Sequence, residues 1–403
     1  MRRRPTTRIA AATGGRVSRR RPGTPDARAI VSSLLGWFPA RARNLPWRRT
    51  LDPYAIWISE IMLQQTQVKT VIPYFERWLR KLPGVKALAR ARTDRVLKLW
   101  EGLGYYTRAR NLQRAARQIV TDHGGTFPRD FEAILALPGV GRYTAGAIAS
   151  IAFNEPRPIL DGNVIRVLTR LFGIRANPRQ RDTNARLWRL AGDLVNAAAS
   201  SSLPPHPSSL AFSGPCSALN QALMELGATV CVPRSPACGI CPLQRYCVAQ
   251  SRGWTAKLPN LQRARPAAAR RFIAFVVERR GRVLVRQRPA GELNGSLWEF
   301  PNRELNGASA DPGQLARQTL GASPARLKPL CRIKHSITRY RITLEAHVAG
   351  GIPAGLPDRR HRWVGPDRLE QLPFTAAHRK IAHTYLAFRK PRRARPARNQ
   401  RLS

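Results

Sequence analysis

The chain has 403 residues, 43% of them apolar, and a formal net charge of +47. That length allows two or three domains with cores of their own, and the apolar fraction excludes a wholly disordered chain. The surplus of Arg and Lys calls for a polyanionic partner, nucleic acid foremost, although an Arg-favouring composition and basic tails contribute to the same total.

Residues 1–26 are basic, Pro-bearing and without apolar periodicity, and read as a disordered arm; 391–403 read as a matching tail. No apolar run is long enough for a bilayer, and the N-terminus lacks the pattern of a secretory leader, so no membrane partner is expected. Residues 27–250 read as helical, punctuated at Leu82-Pro83-Gly84, Gly102-Leu103-Gly104, His123-Gly124-Gly125 and Leu137-Pro138-Gly139. Asp52-Pro53 predicts a helix start, with Asp as cap and Pro in the first turn. Residues 200–215 form a Ser/Pro-rich loop with no assigned role, and 251–269 read as a linker. From 270 to 390 the pattern becomes mixed α and β. Phe272–Val277 and Arg282–Gln287 predict a hairpin through Arg280-Gly281, 333–348 holds another alternating stretch, and Thr375–Phe388 predicts a closing helix.

Of six cysteines, four crowd into one segment: Cys231, Cys238, Cys241 and Cys247, spaced C-x6-C-x2-C-x5-C. Such crowding reads as a metal site in a reducing cytoplasm, not a disulfide scaffold. Four thiolates suit an iron–sulfur cubane or a structural zinc. Zinc ribbons usually pair two C-x-x-C knuckles and one is present, but spacing alone leaves both open.

Three further features bear on chemistry. Leu137-Pro138-Gly139-Val140-Gly141 is an ordinary helical-hairpin turn or a backbone grip for a phosphate, since Gly139 and Gly141 permit close approach and the following helix start offers free amides. Asp161 is the sole charge between Arg157 and Arg166. It reads as an N-cap, a role that also keeps a carboxylate ionised, as a developing oxocarbenium ion requires. Glu60 is the sole charge between Asp52 and Lys69. It either faces water or, buried among Ile56, Trp57, Ile61 and Leu63, has a raised pKa and serves as a general acid. One protonated and one ionised carboxyl suit glycosidic cleavage.

With these residues in view, the chain resembles the MutY-type adenine DNA glycosylases of the helix-hairpin-helix superfamily. The resemblance runs from about Trp37 to Cys247. It rests on Leu45-Pro46-Trp47-Arg48, Trp57-Ile58-Ser59-Glu60-Ile61-Met62-Leu63-Gln64-Gln65-Thr66-Gln67, Gly102-Leu103-Gly104-Tyr105-Tyr106, the 137–146 hairpin, Ile159–Val164 and the cysteines. It implies an all-α, two-lobed glycosylase domain with a [4Fe-4S] cluster, followed by a mixed α/β Nudix-like domain. It further implies a monomer, near the nucleoid, acting on double-stranded DNA with adenine opposite 8-oxoguanine or guanine. Glu60 would protonate adenine N7, Asp161 would stabilise the C1′ cation, and Tyr143 and Asn163 would support them. Trp47, Arg48, Leu63, Gln221 and Met224 would wall the adenine pocket, while Gln65 and Tyr105 would wedge into the base stack. Related endonuclease III enzymes carry a lysine where Tyr143 stands, so a glycosylase without Schiff-base strand cleavage is expected.

Gln287-Arg288-Pro289 and Leu297-Trp298-Glu299-Phe300-Pro301 resemble the family's C-terminal domain. The stretch 302–322 lacks the Glu-rich helix a Nudix hydrolase needs for magnesium, which disfavours nucleotide hydrolysis. The family's guanine-reading Phe-Ser-His loop aligns with Ile337-Thr338-Arg339, where Thr338 would replace the Ser hydroxyl. A bifunctional mismatch glycosylase and a non-catalytic DNA-binding module are the competing readings. Tyr143 speaks against the first, and the joint presence of Glu60 and Asp161 against the second.

Overall fold

The computed structural model describes residues 26–202, 210–262, 266–292, 294–305, 311–337, 340–352 and 360–389. The expected basic arm (except Asp26), the basic tail, residues 203–209 of the 200–215 loop, and Thr338 with Arg339 lie outside them.

Helices occupy the first part: α1 (Ala27–Arg41), α2 (Pro53–Leu63), α3 (Val68–Lys81), α4 (Val85–Arg90), α5 (Thr93–Leu99), α6 (Thr107–His123), α7 (Phe131–Leu135), α8 (Arg142–Phe153), α9 (Gly162–Leu171), α10 (Arg181–Ala199), α11 (Pro215–Thr229) and α12 (Val248–Ser251). α2 packs on α3 and α8, and α4 and α5 on α6, forming one lobe. The other lobe joins α1, α9, α10 and α11, with α12 on α9, and α11 touches α8 across the seam. Local sequence sets the two helix starts that matter most. Asp52 accepts from the Tyr54 amide and Asp161 from the Val164 amide, each satisfying a donor the helix itself leaves free. α9 then buries Val164, Val167, Leu168 and Leu171, one face at 3.6-residue spacing. α2 differs, since every residue from Tyr54 to Met62 is buried. An all-round apolar helix sits in the core, and Glu60 is carried into the core with it.

The second part is a seven-stranded mixed sheet in the order β3-β2-β1-β6-β5, with β4 also on β1 and β7 also on β2. Its strands are β1 (Ala268–Arg279), β2 (Arg282–Gln287), β3 (Trp298–Glu299), β4 (Asn302–Glu304), β5 (Arg326–Ile337), β6 (Tyr340–Gly350) and β7 (His361–Val364). β1 runs parallel to β6, and the other pairings are antiparallel. The expected hairpin is present: Arg280 and Gly281 turn it with φ of 45° and 72°. The sheet carries α15 (Ala376–Arg389) against Ala274 and Val276 on one face. On the other, α13 (Pro312–Leu320) lies against Ile273, Phe275 and Val277. A short α14 (Pro366–Leu369) precedes α15. Burial on both faces explains why β1 reads as a continuous apolar run without alternation.

The expected linker at 251–269 is packed in part against the helical domain. Arg170 Nε donates to the carbonyl of Leu258, which is 4% exposed, and β1 already begins at Ala268. Within 333–348, the alternating residues Tyr340–Leu344 fall in β6 as expected, and the other described residues of that stretch belong to β5 and β6, which pair antiparallel.

The two domains meet behind the Gly102–Tyr106 loop. Arg379 Nε donates to Glu101 Oε1 at 2.8 Å, the Phe374 amide donates to the same oxygen at 3.1 Å, and Arg110 Nη1 donates to the Gly295 carbonyl at 2.6 Å. Leu297 of the second domain is fully buried in the helical core.

Candidate active site and cluster loop

A cavity of about 570 Å³ opens between the lobes, within the roughly 300–1,000 Å³ of small-ligand sites. α2 contributes Glu60 and Leu63, with Gln65 just beyond its end. The turn before it contributes Trp47 and Arg48, the start of α8 Tyr143, the start of α9 Asp161 and Asn163, and α11 Gln221 and Met224. The fold therefore brings these sequence-predicted residues to one place.

Glu60 is 5% exposed, so it does not face water. Tyr143 donates its hydroxyl to Glu60 Oε2 at 2.7 Å, and the Tyr143 hydroxyl oxygen lies 3.3 Å from Met224 Sδ. Burial pushes the Glu60 carboxyl up to about 7; the Asp161 charge adds to this, while the Tyr143 hydrogen bond and Arg48 oppose it. Burial also pushes Asp161 above its ordinary range, but the Val164 amide at 2.7 Å, Asn163 Nδ2 at 3.0 Å and the charge of Arg166 pull it back. Asp161 thus has the amide donors and the cation that favour an ion. Glu60 has a single hydroxyl donor and a deeper burial, which favour a proton.

Arg48 has a different task from the one expected of a pocket wall alone. Its Nη2 donates to Glu225 Oε2 at 3.0 Å and its Nη1 to the Arg43 carbonyl at 3.1 Å, with Phe38 beneath it. Burial alone would raise the Glu225 carboxyl; the hydrogen bonds from Arg43 and the charge of Arg48 outweigh it and hold the carboxyl below its usual value. Glu225 was not singled out from the sequence. Its signal, a lone acid on the otherwise apolar α11, is the one that flagged Glu60.

Tyr105 and Gln65 flank a second cleft of about 870 Å³ between the two domains, and Gln65 reaches the first cavity as well. Both carry left-handed backbone, at φ of 46° and 58°. For residues with a Cβ this conformation costs on the order of 1–2 kcal/mol each. Gly139 lines the same cleft at φ 81°, where a Cβ would stand 2.7 Å from Asn111. Gly141 is the N-cap of α8 and has nothing within 4 Å of a would-be Cβ. From the second domain, His335, Ser336 and Tyr340 line the cleft too. Thr338 lies outside the described residues.

Cys231, Cys238, Cys241 and Cys247 surround one small cavity, with Arg170 on its wall. Among the described residues no three His, Cys, Asp or Glu side chains converge tightly enough for a single metal ion. Four thiols around one cavity are the ligand set a four-iron cluster takes. Arg170 is 2% exposed; it donates to the Val232 and Pro233 carbonyls and sits 3.4 Å from Cys231 Sγ, a cation suited to compensate thiolate charge. Arg166 Nη2 donates to Asn163 Oδ1 at 2.7 Å and its Nε to the Cys231 carbonyl at 2.7 Å, tying the start of α9 to the cluster loop. The sequence reading missed both arginines, although two of them on one face of an amphipathic helix, four residues apart, were a visible signal.

A helical two-lobed fold with a hairpin, paired carboxyls between the lobes and a four-cysteine loop defines a base-excision DNA repair protein. In agreement, the HhH-GPD superfamily base excision DNA repair model matches residues 58–192, the iron-sulfur binding domain of endonuclease III matches 231–247, and a NUDIX domain matches 273–384. The chain is 35% identical to the adenine DNA glycosylase of Mus musculus over 93% of its own length and 81% of that protein. It is 34% identical to that of Homo sapiens (89% and 74%) and 41% identical to that of Buchnera aphidicola subsp. Baizongia pistaciae (54% and 57%). The chain belongs to the adenine DNA glycosylase family. It is an enzyme, a hydrolase of N-glycosyl bonds in base-excision repair, and its four-cysteine loop is that of a [4Fe-4S] cluster.

Proposed function

We propose that the enzyme excises adenine paired with 8-oxoguanine or guanine in double-stranded DNA, and that it does so without cutting the strand. The observation carrying this reading is the carboxyl pair of the inter-lobe cavity: Glu60, with a pKa near 7 and one hydroxyl donor, and Asp161, held by an amide, an amide side chain and an arginine. The adenine leaves the stack and enters this cavity, bounded by Trp47, Arg48, Leu63, Gln221 and Met224, while Gln65 and Tyr105 fill the space it vacates. Glu60 gives its proton to N7. The C1′–N9 bond breaks, its electron pair goes to the purine, and adenine departs neutral. The carboxylate of Asp161 stabilises the oxocarbenium ion, water adds to C1′, and its proton passes to a carboxylate of the pair. Tyr143 holds Glu60 in place, and Asn163 holds Asp161. Tyr143 has no amine, so no Schiff base forms. Gly139 and Gly141 offer backbone to a DNA phosphate.

Cys231, Cys238, Cys241 and Cys247 would hold the [4Fe-4S] cluster, which would supply a covalent cross-link to their loop. The guanine strand is read from the second domain. In support, the antiparallel pair β5–β6 brings His335, Ser336 and Tyr340 to the same cleft as the two wedges. α13, the helix of the 302–322 stretch, contains no Asp or Glu, consistent with binding and not nucleotide hydrolysis. The test is a single-turnover assay on duplexes with adenine opposite 8-oxoguanine, guanine or thymine. Excision should follow that order and collapse in Glu60→Gln. Undiminished release by Glu60→Gln, or borohydride trapping at the rate of a strand-cleaving relative, overturns the mechanism.

A further inference from the structure

Two exposed side chains in strained backbone, Gln65 and Tyr105, come from segments forty residues apart, and one side chain ties those segments together. Arg108, in the first turn of α6, points its Nη1 at the end of α2, donating to the carbonyls of Ile61 at 2.7 Å, Met62 at 3.0 Å and Gln64 at 2.6 Å. Its Nη2 donates to the carbonyls of Leu103 at 3.0 Å and Gly104 at 3.2 Å, the two residues before Tyr105. The guanidinium carbon lies 5.1 Å from the Trp100 ring centroid and 5.7 Å from that of Tyr105. One arm of the fork thus closes the negative end of α2, and the other closes the Gly104 turn. A lysine has the charge but no planar fork to span both.

We infer that Arg108 is a positioning residue for base extrusion: it sets the spacing between Gln65 and Tyr105 so that both enter the DNA stack together. The inference rests on the wedge role of those two side chains. Arg108 touches neither carboxyl of the site, so its contribution is to extrusion and not to bond cleavage. A displacement of about 1 Å at a positioning contact lowers a rate on the order of a hundredfold, and the loss passes through Tyr105.

The experiment is a double-mutant cycle on the cluster-loaded, full-length enzyme. It measures single-turnover excision of adenine opposite 8-oxoguanine, and fluorescence of 2-aminopurine in the adenine position as the readout of extrusion. R108K should lower both at least about tenfold in the wild-type background and less than about twofold in a Y105A background, because coupled residues are not additive. Equal losses in the two backgrounds overturn the inference, as does R108K with normal 2-aminopurine extrusion. If Y105A itself has no effect, the wedge reading falls and the inference with it. If Y105A is impaired and R108K is additive, the inference falls alone. Iron content and melting temperature monitor folding. R108Q, which keeps donors towards one loop, is the second variant, and failure of both variants to fold assigns Arg108 a structural role instead.

Discussion

The hydroxyl of Tyr143 donates to Glu60 Oε2 at 2.7 Å, so a neutral phenol, and not an amine, stands against this carboxyl. Tyr143 is itself kept protonated, its pKa raised by burial and by the neighbouring Glu60 and Asp161 charges. The bond favours the ionised form of Glu60 and opposes burial. In the proposed mechanism excision uses the protonated form, so the rate should fall as pH rises through about 7. Tyr143→Phe removes the donor and should move that alkaline limb upward by on the order of one pH unit. A pH–rate profile under single turnover decides it; an unmoved limb removes the coupling.

The same pKa has a consequence for stability. Glu60 titrates near 7 in the folded protein, against 4.5 for its ordinary value. Its contribution is therefore complete below about pH 4.5 and is lost as pH rises through 7, because the unfolded chain gives up this proton while the fold still holds it. Glu60→Gln cannot ionise. It should match the wild type at pH 5 and exceed it at pH 8 by on the order of 1–3 kcal/mol. Denaturant titration at the two pH values measures this, and equal stability at pH 8 contradicts it.

Asp161 caps α9 through the Val164 amide. Asparagine caps a helix about as well as aspartate, so Asp161→Asn should fold and melt near the wild type. It removes the charge that, in the proposed mechanism, stabilises the C1′ cation, and excision should fall by on the order of a thousandfold. A folded variant with more than a tenth of the wild-type rate argues against an electrostatic role.

Across the domain joint, Glu101 and Arg379 are 15% and 11% exposed at their side chains. Arg379→Ala leaves Glu101 with Lys98 as its remaining cation. Losing one partner of such a shielded pair costs roughly 2–4 kcal/mol, here charged to domain docking. Proteolysis between 259 and 268 should accelerate, and preference for 8-oxoguanine over guanine should narrow. Unchanged proteolysis shows the joint held by other contacts, such as Leu297.

Cys241→Ser should abolish iron and inorganic sulfide together, with no zinc in their place, and weaken duplex binding. Elemental analysis of the purified wild type separates the alternatives that spacing left open. One zinc per chain and no sulfide contradicts the cluster.

The helical part was well marked in the sequence because its signals are local. Asp52 and Asp161 act within three residues of themselves, and the Arg280-Gly281 turn is read from two adjacent positions. Where a contact spans the chain, local pattern failed. Leu258 looks like linker until Arg170, 88 positions earlier, donates to its carbonyl. Arg108 looks like another surface arginine in a chain of net charge +47 until six acceptors from two loops gather on it. Glu225 likewise needed Arg43, 182 positions away, to show what its charge is for.

By itself, then, the sequence determined the residue types of the chemistry: an isolated glutamate, a capping aspartate, a tyrosine in place of lysine, and four thiols in one segment. Each is chosen by short-range properties of side chain and backbone. The tertiary structure decided their electrostatic state. Whether Glu60 is an acid near pH 7 or an ordinary carboxylate depends on water being excluded by α2, α8, α9 and α11 together. Desolvation is a property of everything packed around a group, and no window of sequence contains it.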